Sequence, residues 1–229
     1  MSIIDTPFNT TTSISCLKSQ GVGTVIRYYN FTNSSVFPNK RLELAEAEAL
    51  SANEIQIAVV FQQRQDRAAD FNEAKGITAG RAAFRHAQDI GQPANSGIYF
   101  SVDFDASNSE ITSRIIPYFK GVRRAFIEEG GGNQKYRMGV YGSGLVSSRL
   151  TGAGLIQLTW LAMSRGFRGT RAALEAGEFH ISQRAPAAHL CGLGVDFNDP
   201  NPTRPDFGAF TIEAAVVPVS SVASVGPAA

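Results

Sequence analysis

Histidine, cysteine and tryptophan are scarce in this chain: three, two and one in 229 residues. The histidines (His86, His180, His189) form no HExxH or comparable ligand pair, so no His-based zinc site is expected. Cys16 and Cys191 are too few for a disulfide framework and have no CxxC context. They read as ordinary small buried residues. No run reaches the ~18 uninterrupted apolar residues of a membrane span. The N-terminus, "MSIIDTPFNTTTSISCLKSQ", has no basic stretch leading into an apolar core, so no secretory signal is visible. The expected location is cytoplasmic, or outside the cell by a non-classical or dedicated route. A net charge of +1 leaves no electrostatic footprint for nucleic acid. A glycine-rich phosphate turn after the first strand is absent too, and with it any dinucleotide motif. No cofactor is expected.

What the chain does have is alternation. Short runs rich in Val, Ile, Phe and Tyr occur at 2–5, 23–29, 55–61, 97–103, 137–141, 157–162, 178–183 and 193–198. They have the composition of buried strands. Helical periodicity fills the gaps: Ala79, Ala82, Ala83, Ala87 and Ile90 share one face, as do Ile111, Ile115, Phe119, Val122 and Phe126. Eight strands with intervening helices predict a compact (β/α)8 TIM barrel over 1–212. The low-complexity, small-residue-rich stretch 213–229 is expected to be a disordered tail.

The stretch "IYFSVDFD", 98–105, carries the chemistry. Side chains alternate along a strand, so Tyr99, Ser101, Asp103 and Asp105 share one face and Ile98, Phe100, Val102 and Phe104 the other. The apolar set suits a helix layer, which turns the acids inward at the C-terminal end, where barrel enzymes place their sites. Other strands end in the same way: Asp5 on the first, Arg27, Tyr28 and Tyr29 on the second, Tyr141 on the fifth, Trp160 on the sixth, Gln183 on the seventh, Asp196 and Asn198 on the eighth. Carboxylates among aromatic and amide groups point to a carbohydrate site. The competing reading gives Asp5 and Asp105 capping roles, Arg27 an ion pair and Trp160 plain packing.

The ordered set of an initial Asp-x-Thr, then "RYY", "FQQR", "GIYFSVDFD", "PYFKGV", "GVYGSG", "TWLA", "ISQ" and "GVDFN" resembles the glycoside-hydrolase-like barrels of domain of unknown function 1906. The likeness runs over about residues 3–210, and that family is similar in layout to the family 25 lysozymes. The resemblance implies a glycosidase acting on peptidoglycan or a related N-acetylated glycan. Asp105 would be general acid, Asp103 the ionised partner, and Asp5 and Asp196 would position substrate or water. Arg27, Tyr29, Gln63, Tyr141, Trp160, Gln183 and Asn198 would bind the glycan. Where the lysozymes have Asp-x-Glu this chain has Asp103-Phe104-Asp105, so the acid's reach is shortened by one bond, about 1.5 Å. The alternatives are a non-catalytic glycan-binding barrel in a larger secreted or cell-wall assembly, and a structural domain whose acids only satisfy the barrel mouth.

Overall fold

The computed structural model describes residues 1–213; the tail expected at 213–229 lies, from residue 214 on, outside them. Eight strands close a barrel in sequence order: β1 Ser2–Asp5, β2 Val22–Tyr29, β3 Gln56–Phe61, β4 Gly97–Ser101, β5 Arg137–Gly142, β6 Leu158–Leu161, β7 Ile181–Leu190 and β8 Leu193–Pro200. Helices α1 Ile14–Ser19, α2 Leu44–Ala52, α3 Glu73–Asp89, α6 Gly144–Gly152 and α7 Thr170–Ala176 fill connections between strands. After β4 a short α4, Asn108–Glu110, runs through a π segment, Ile111–Ile115, into α5, Ile116–Glu129. No helix among the described residues is long and apolar enough to cross a membrane.

The barrel departs from eightfold repetition at its end. β8 runs antiparallel to both β7 and β1. No helix joins β7 to β8; the chain turns at Cys191 and Gly192, both with positive φ (53° and 80°). Two central residues of that hand make the turn that matches the twist of a tight hairpin. Because β8 points back, its early residue Asp196 pairs with Asp5 at the mouth. The hairpin also corrects the reading of the cysteines: Cys191 is carried against α1 and bonded to Cys16, a sequence separation of 175.

Two apolar layers follow from strand alternation. The outward set of β2 to β5, such as Val25, Val59, Phe100 and Val140, packs under the helices with the stripe Ile111 and Ile115 of the π segment and Phe119, Val122 and Phe126 of α5. Ser107 caps that helical run in a capping box with Glu110. Inside the barrel lie Ile3, Ile26, Ala58, Val60, Tyr99, Leu158, Trp160 and Ile181, with Phe207 at the base. Gly139 is required here: a Cβ would stand 2.6 Å from the Tyr99 ring. The base is closed by the segment after β8, where Tyr99 Oη donates to the Phe207 carbonyl (2.8 Å) and Phe210 bridges to Ile57. The open end is therefore the C-terminal end of β1–β7.

Candidate functional site: the acidic mouth of the barrel

The inward side chains of each strand end at this mouth. Register places Asp5 beside Asp196, Ser101 beside Tyr141, Tyr141 beside Trp160, and Gln183 beside Asn198. A cleft of about 570 Å³ opens above them, lined by Tyr28, Gln62, Ser101, Asp103, Tyr141, Trp160, Phe167, Gln183 and Asp196 among others. A second groove, about 410 Å³, shares Tyr28, Gln62 and Asp196 with it and continues past Asp5, Phe8, Phe37 and Lys40. Together they form one trough across the mouth.

Gln183 organises the floor. Its Oε1 accepts from Tyr141 Oη (2.8 Å) and Met163 N (3.3 Å), which fixes the amide. Its Nε2 then donates to Asp5 Oδ2 and Asp196 Oδ2, each at 3.1 Å. Asp5 also accepts from Asn198 Nδ2 (2.8 Å) and Tyr28 Oη (3.3 Å). Asn198 is held in turn by Trp160 Nε1, which donates to its Oδ1 at 2.7 Å. Trp160 is thus fully buried, and serves as a floor and an orienting donor rather than a stacking platform.

Electrostatics raises the affinity of these acids for protons. Burial pushes the Asp5 carboxyl up to about 7, with Asp196 adding to the rise and the bonds from Asn198, Gln183 and Tyr28 opposing it. Burial raises Asp196 as well, and its Oδ1 is enclosed without a hydrogen-bond partner. Asp103, across the cleft, is raised by desolvation; its bond from Gln62 Nε2 (3.3 Å) opposes this, Asp66 adds to it, and Lys40 opposes it. Asp103 is exposed to solvent, whereas Asp5 is buried at the edge of the second groove.

Four residues expected at the site lie elsewhere. Asp105 does not line the cleft. Its Oδ1 accepts from Arg168 N (2.7 Å), its backbone carbonyl accepts from Arg168 Nη1 (2.7 Å), and the two side chains pair at 3.2 Å. β4 ends at Ser101; Asp103, two residues on, still faces the cleft, and Asp105, four residues on, does not. Arg27 and Tyr29 point outward from β2. Arg27 is wholly buried against Glu46 (2.8 Å), and Tyr29 Oη donates to Gln92 Oε1 (2.7 Å). Gln63 turns away and accepts from the backbone of Phe31 and Thr32. The same alternation that located Asp103 selects Tyr28 on β2 and Gln62 after β3, where the family resemblance points instead to their neighbours Arg27, Tyr29 and Gln63. Lys40 and Phe167 come from loops, and no local signal marks them.

A family model described as Rv2525c-like, glycoside hydrolase-like domain matches residues 15–189. The chain is 32% identical over 158 residues to "Uncharacterized protein YbfG" of Bacillus subtilis, across 67% of this chain and 22% of that protein. It is 27% identical over 174 residues to "Putative peptidoglycan hydrolase Rv2525c" of Mycobacterium tuberculosis, across 74% of this chain and 66% of that one. The chain thus spans under a quarter of the first relative and just under two thirds of the second. The crystal structure of the Tat-secreted protein Rv2525c from M. tuberculosis in complex with L-tartrate matches with a TM-score of 0.77 at 22% identity, covering 91% of this chain and 98% of that one. The modular autolysin LytC from Streptococcus pneumoniae, in complex with a synthetic peptidoglycan ligand, matches at 0.55 and 13% identity, covering 86% and 46%. At these identities the two structures share the fold.

Proposed function

Since the chain belongs to the Rv2525c-like glycoside hydrolase-like family, we propose that it cleaves an N-acetylated glycan of peptidoglycan type at the barrel mouth. The observation that carries this reading is the convergence of Asp5, Asp103 and Asp196 on one trough, with few cations to neutralise them. Glycoside hydrolysis uses two carboxyl groups in different protonation states, one to protonate the leaving oxygen and one to serve the opposite face of the sugar. In this reading Asp103 hands the proton to the leaving oxygen, because it is the cleft acid that is both raised and open to solvent. Asp196, coupled to Asp5 through Gln183, acts from the other side, and Asp5 sets the charge of that pair. Tyr28, Tyr141 and Phe167 give the sugar its apolar contacts.

Action outside the cytoplasm fits this reading. A disulfide between Cys16 and Cys191 belongs to an oxidising compartment, and Rv2525c is described as Tat-secreted. The test is mass spectrometry of purified peptidoglycan after incubation with wild type, Asp103→Asn and Asp105→Asn. Reducing-end products from wild type and Asp105→Asn, reduced about 10²–10⁴-fold in Asp103→Asn, are expected of a general acid. One observation favours a second reading: with Asp105 tied to Arg168, the mouth lacks the second member of its acid pair. The barrel would then hold glycan without cutting it, as a module of longer proteins such as YbfG. Intact glycan retained by wild type in pull-down would establish that reading and sink the first.

A further inference from the structure

Lys40 differs from the paired cations around the mouth. Arg27 is engaged by Glu46, Arg168 by Asp105 and Arg184 by Asp199. Lys40 is in no ion pair among the described residues. Its Nζ sits 4.4 Å from the centre of the Tyr28 ring and donates to Gln62 Oε1 at 3.0 Å. An ammonium has three donors, so the amide leaves capacity for a further acceptor. Tyr28 and Gln62 are shared by both halves of the trough, so Lys40 stands at their junction. Burial pushes its ammonium down to about 8, against the pull of Asp103 and with the push of Arg27. A partly buried charge without a partner is costly, and a bound ligand can supply that partner.

We infer that Lys40 selects a glycan bearing a carboxylate substituent, such as the lactyl carboxylate on alternate sugars of a peptide-free peptidoglycan strand. This rests on the reading of the mouth as a glycan site. Asp103 acts on the ammonium, and Asp5 and Asp196 line the same groove, so a free small anion meets repulsion there. An anion tethered to a sugar already held by the trough gains the ammonium without depending on its own affinity. The neutral amides and phenols of the mouth serve hydroxyls and acetamides and give no preference for charge.

Lys40 also has a structural task to be separated from selection. By holding Gln62 Oε1 it directs Gln62 Nε2 toward Asp103 Oδ2 and Ser101 Oγ. A purely positioning role affects all glycans alike, whereas selection changes a ratio. The experiment is calorimetric titration of the full chain, in the cold, with a peptide-free peptidoglycan hexasaccharide and with the same oligosaccharide after its carboxylates are reduced to alcohols. Mass spectrometry of the recovered sugar verifies that it is intact. Wild type is expected to prefer the carboxylated form about tenfold, the scale of one charge-assisted hydrogen bond. Lys40→Met brings the ratio close to one whatever happens to the absolute affinities, and Lys40→Arg keeps a preference. Equal affinities in wild type, or a preference that survives in Lys40→Met, overturn the inference while leaving the glycan reading intact. Binding of neither sugar by wild type removes the glycan reading and this inference with it.

Discussion

Glu46 and Asp5 are both buried carboxylates, and both are richly hydrogen-bonded, yet their surroundings are opposite. Glu46 accepts from Arg27 Nε and Nη2, Thr10 N and Oγ1, and Asn9 Nδ2. Its charge is balanced by a guanidinium whose remaining donors reach the carbonyls of Thr6 and Asn39. This cluster fastens α2 and two loops to the outside of the barrel. Asp5 has only neutral donors, and its nearest charged neighbour is another acid. One carboxylate is neutralised and holds the fold together. The other is left uncompensated where substrate would arrive. Charge balance, more than burial or hydrogen-bond count, separates the acid that braces the fold from the acid left uncompensated at the mouth.

Three substitutions break or sharpen that contrast. The largest effect is expected from Arg27→Met, which leaves Glu46 charged and buried alone. Stability should fall by about 3–5 kcal/mol in urea denaturation, and glycan binding by the folded fraction should persist. If the variant is as stable as wild type, the pair has no structural weight.

A smaller effect, of opposite sign, is expected from Asp5→Asn. The Asp5 carboxyl is raised from 3.8 to about 7 in the folded state. The native state therefore binds the proton more tightly than the unfolded chain does. The contribution of Asp5 to stability is full below about pH 4 and is lost as pH rises to about 7. With the ionisable group removed, the variant should gain on wild type across that window, by about 1–3 kcal/mol at neutral pH. Glu128 and Glu129, far from the mouth and held low by Arg124 and Arg85, titrate alike in both proteins and cancel in the difference. A stability difference that is flat with pH would show that Asp5 is an ordinary buried acid.

The smallest effect belongs to Arg168→Ala, which cuts the partly exposed tie to Asp105. It should cost under about 1 kcal/mol in thermal unfolding. A loss as large as that of Arg27→Met would make the Asp105 tie a principal brace of the mouth.

Much of this arrangement was legible in the chain. The eight strands, the two apolar helix stripes and the inward face of Asp103 follow from periods of 2 and 3.6. Asp5, Asp196, Asn198, Tyr141, Trp160 and Gln183 were found because polar residues closing an apolar strand are conspicuous. Arg27 and Tyr29 were misplaced by reading "RYY" as a motif rather than as alternating faces; Tyr28 is its inward member. Asp105 departs from the expected face because it lies four residues past the end of β4, where Arg168, far away in sequence, decides the conformation. The disulfide was missed because nothing local links Cys16 to a residue 175 positions on.

By itself the sequence determined the barrel, its layers and the end that carries acids, because backbone periodicity and burial are local properties that composition records. Only the tertiary structure decided that β8 turns back, that Asp5 and Asp196 share one amide, that Lys40 stands on Tyr28 and Gln62 at the junction, and that Asp105 leaves the cleft. Each of these depends on groups far apart in the chain meeting at a distance of a few ångströms, and charge and hydrogen-bond partners are fixed only at that range.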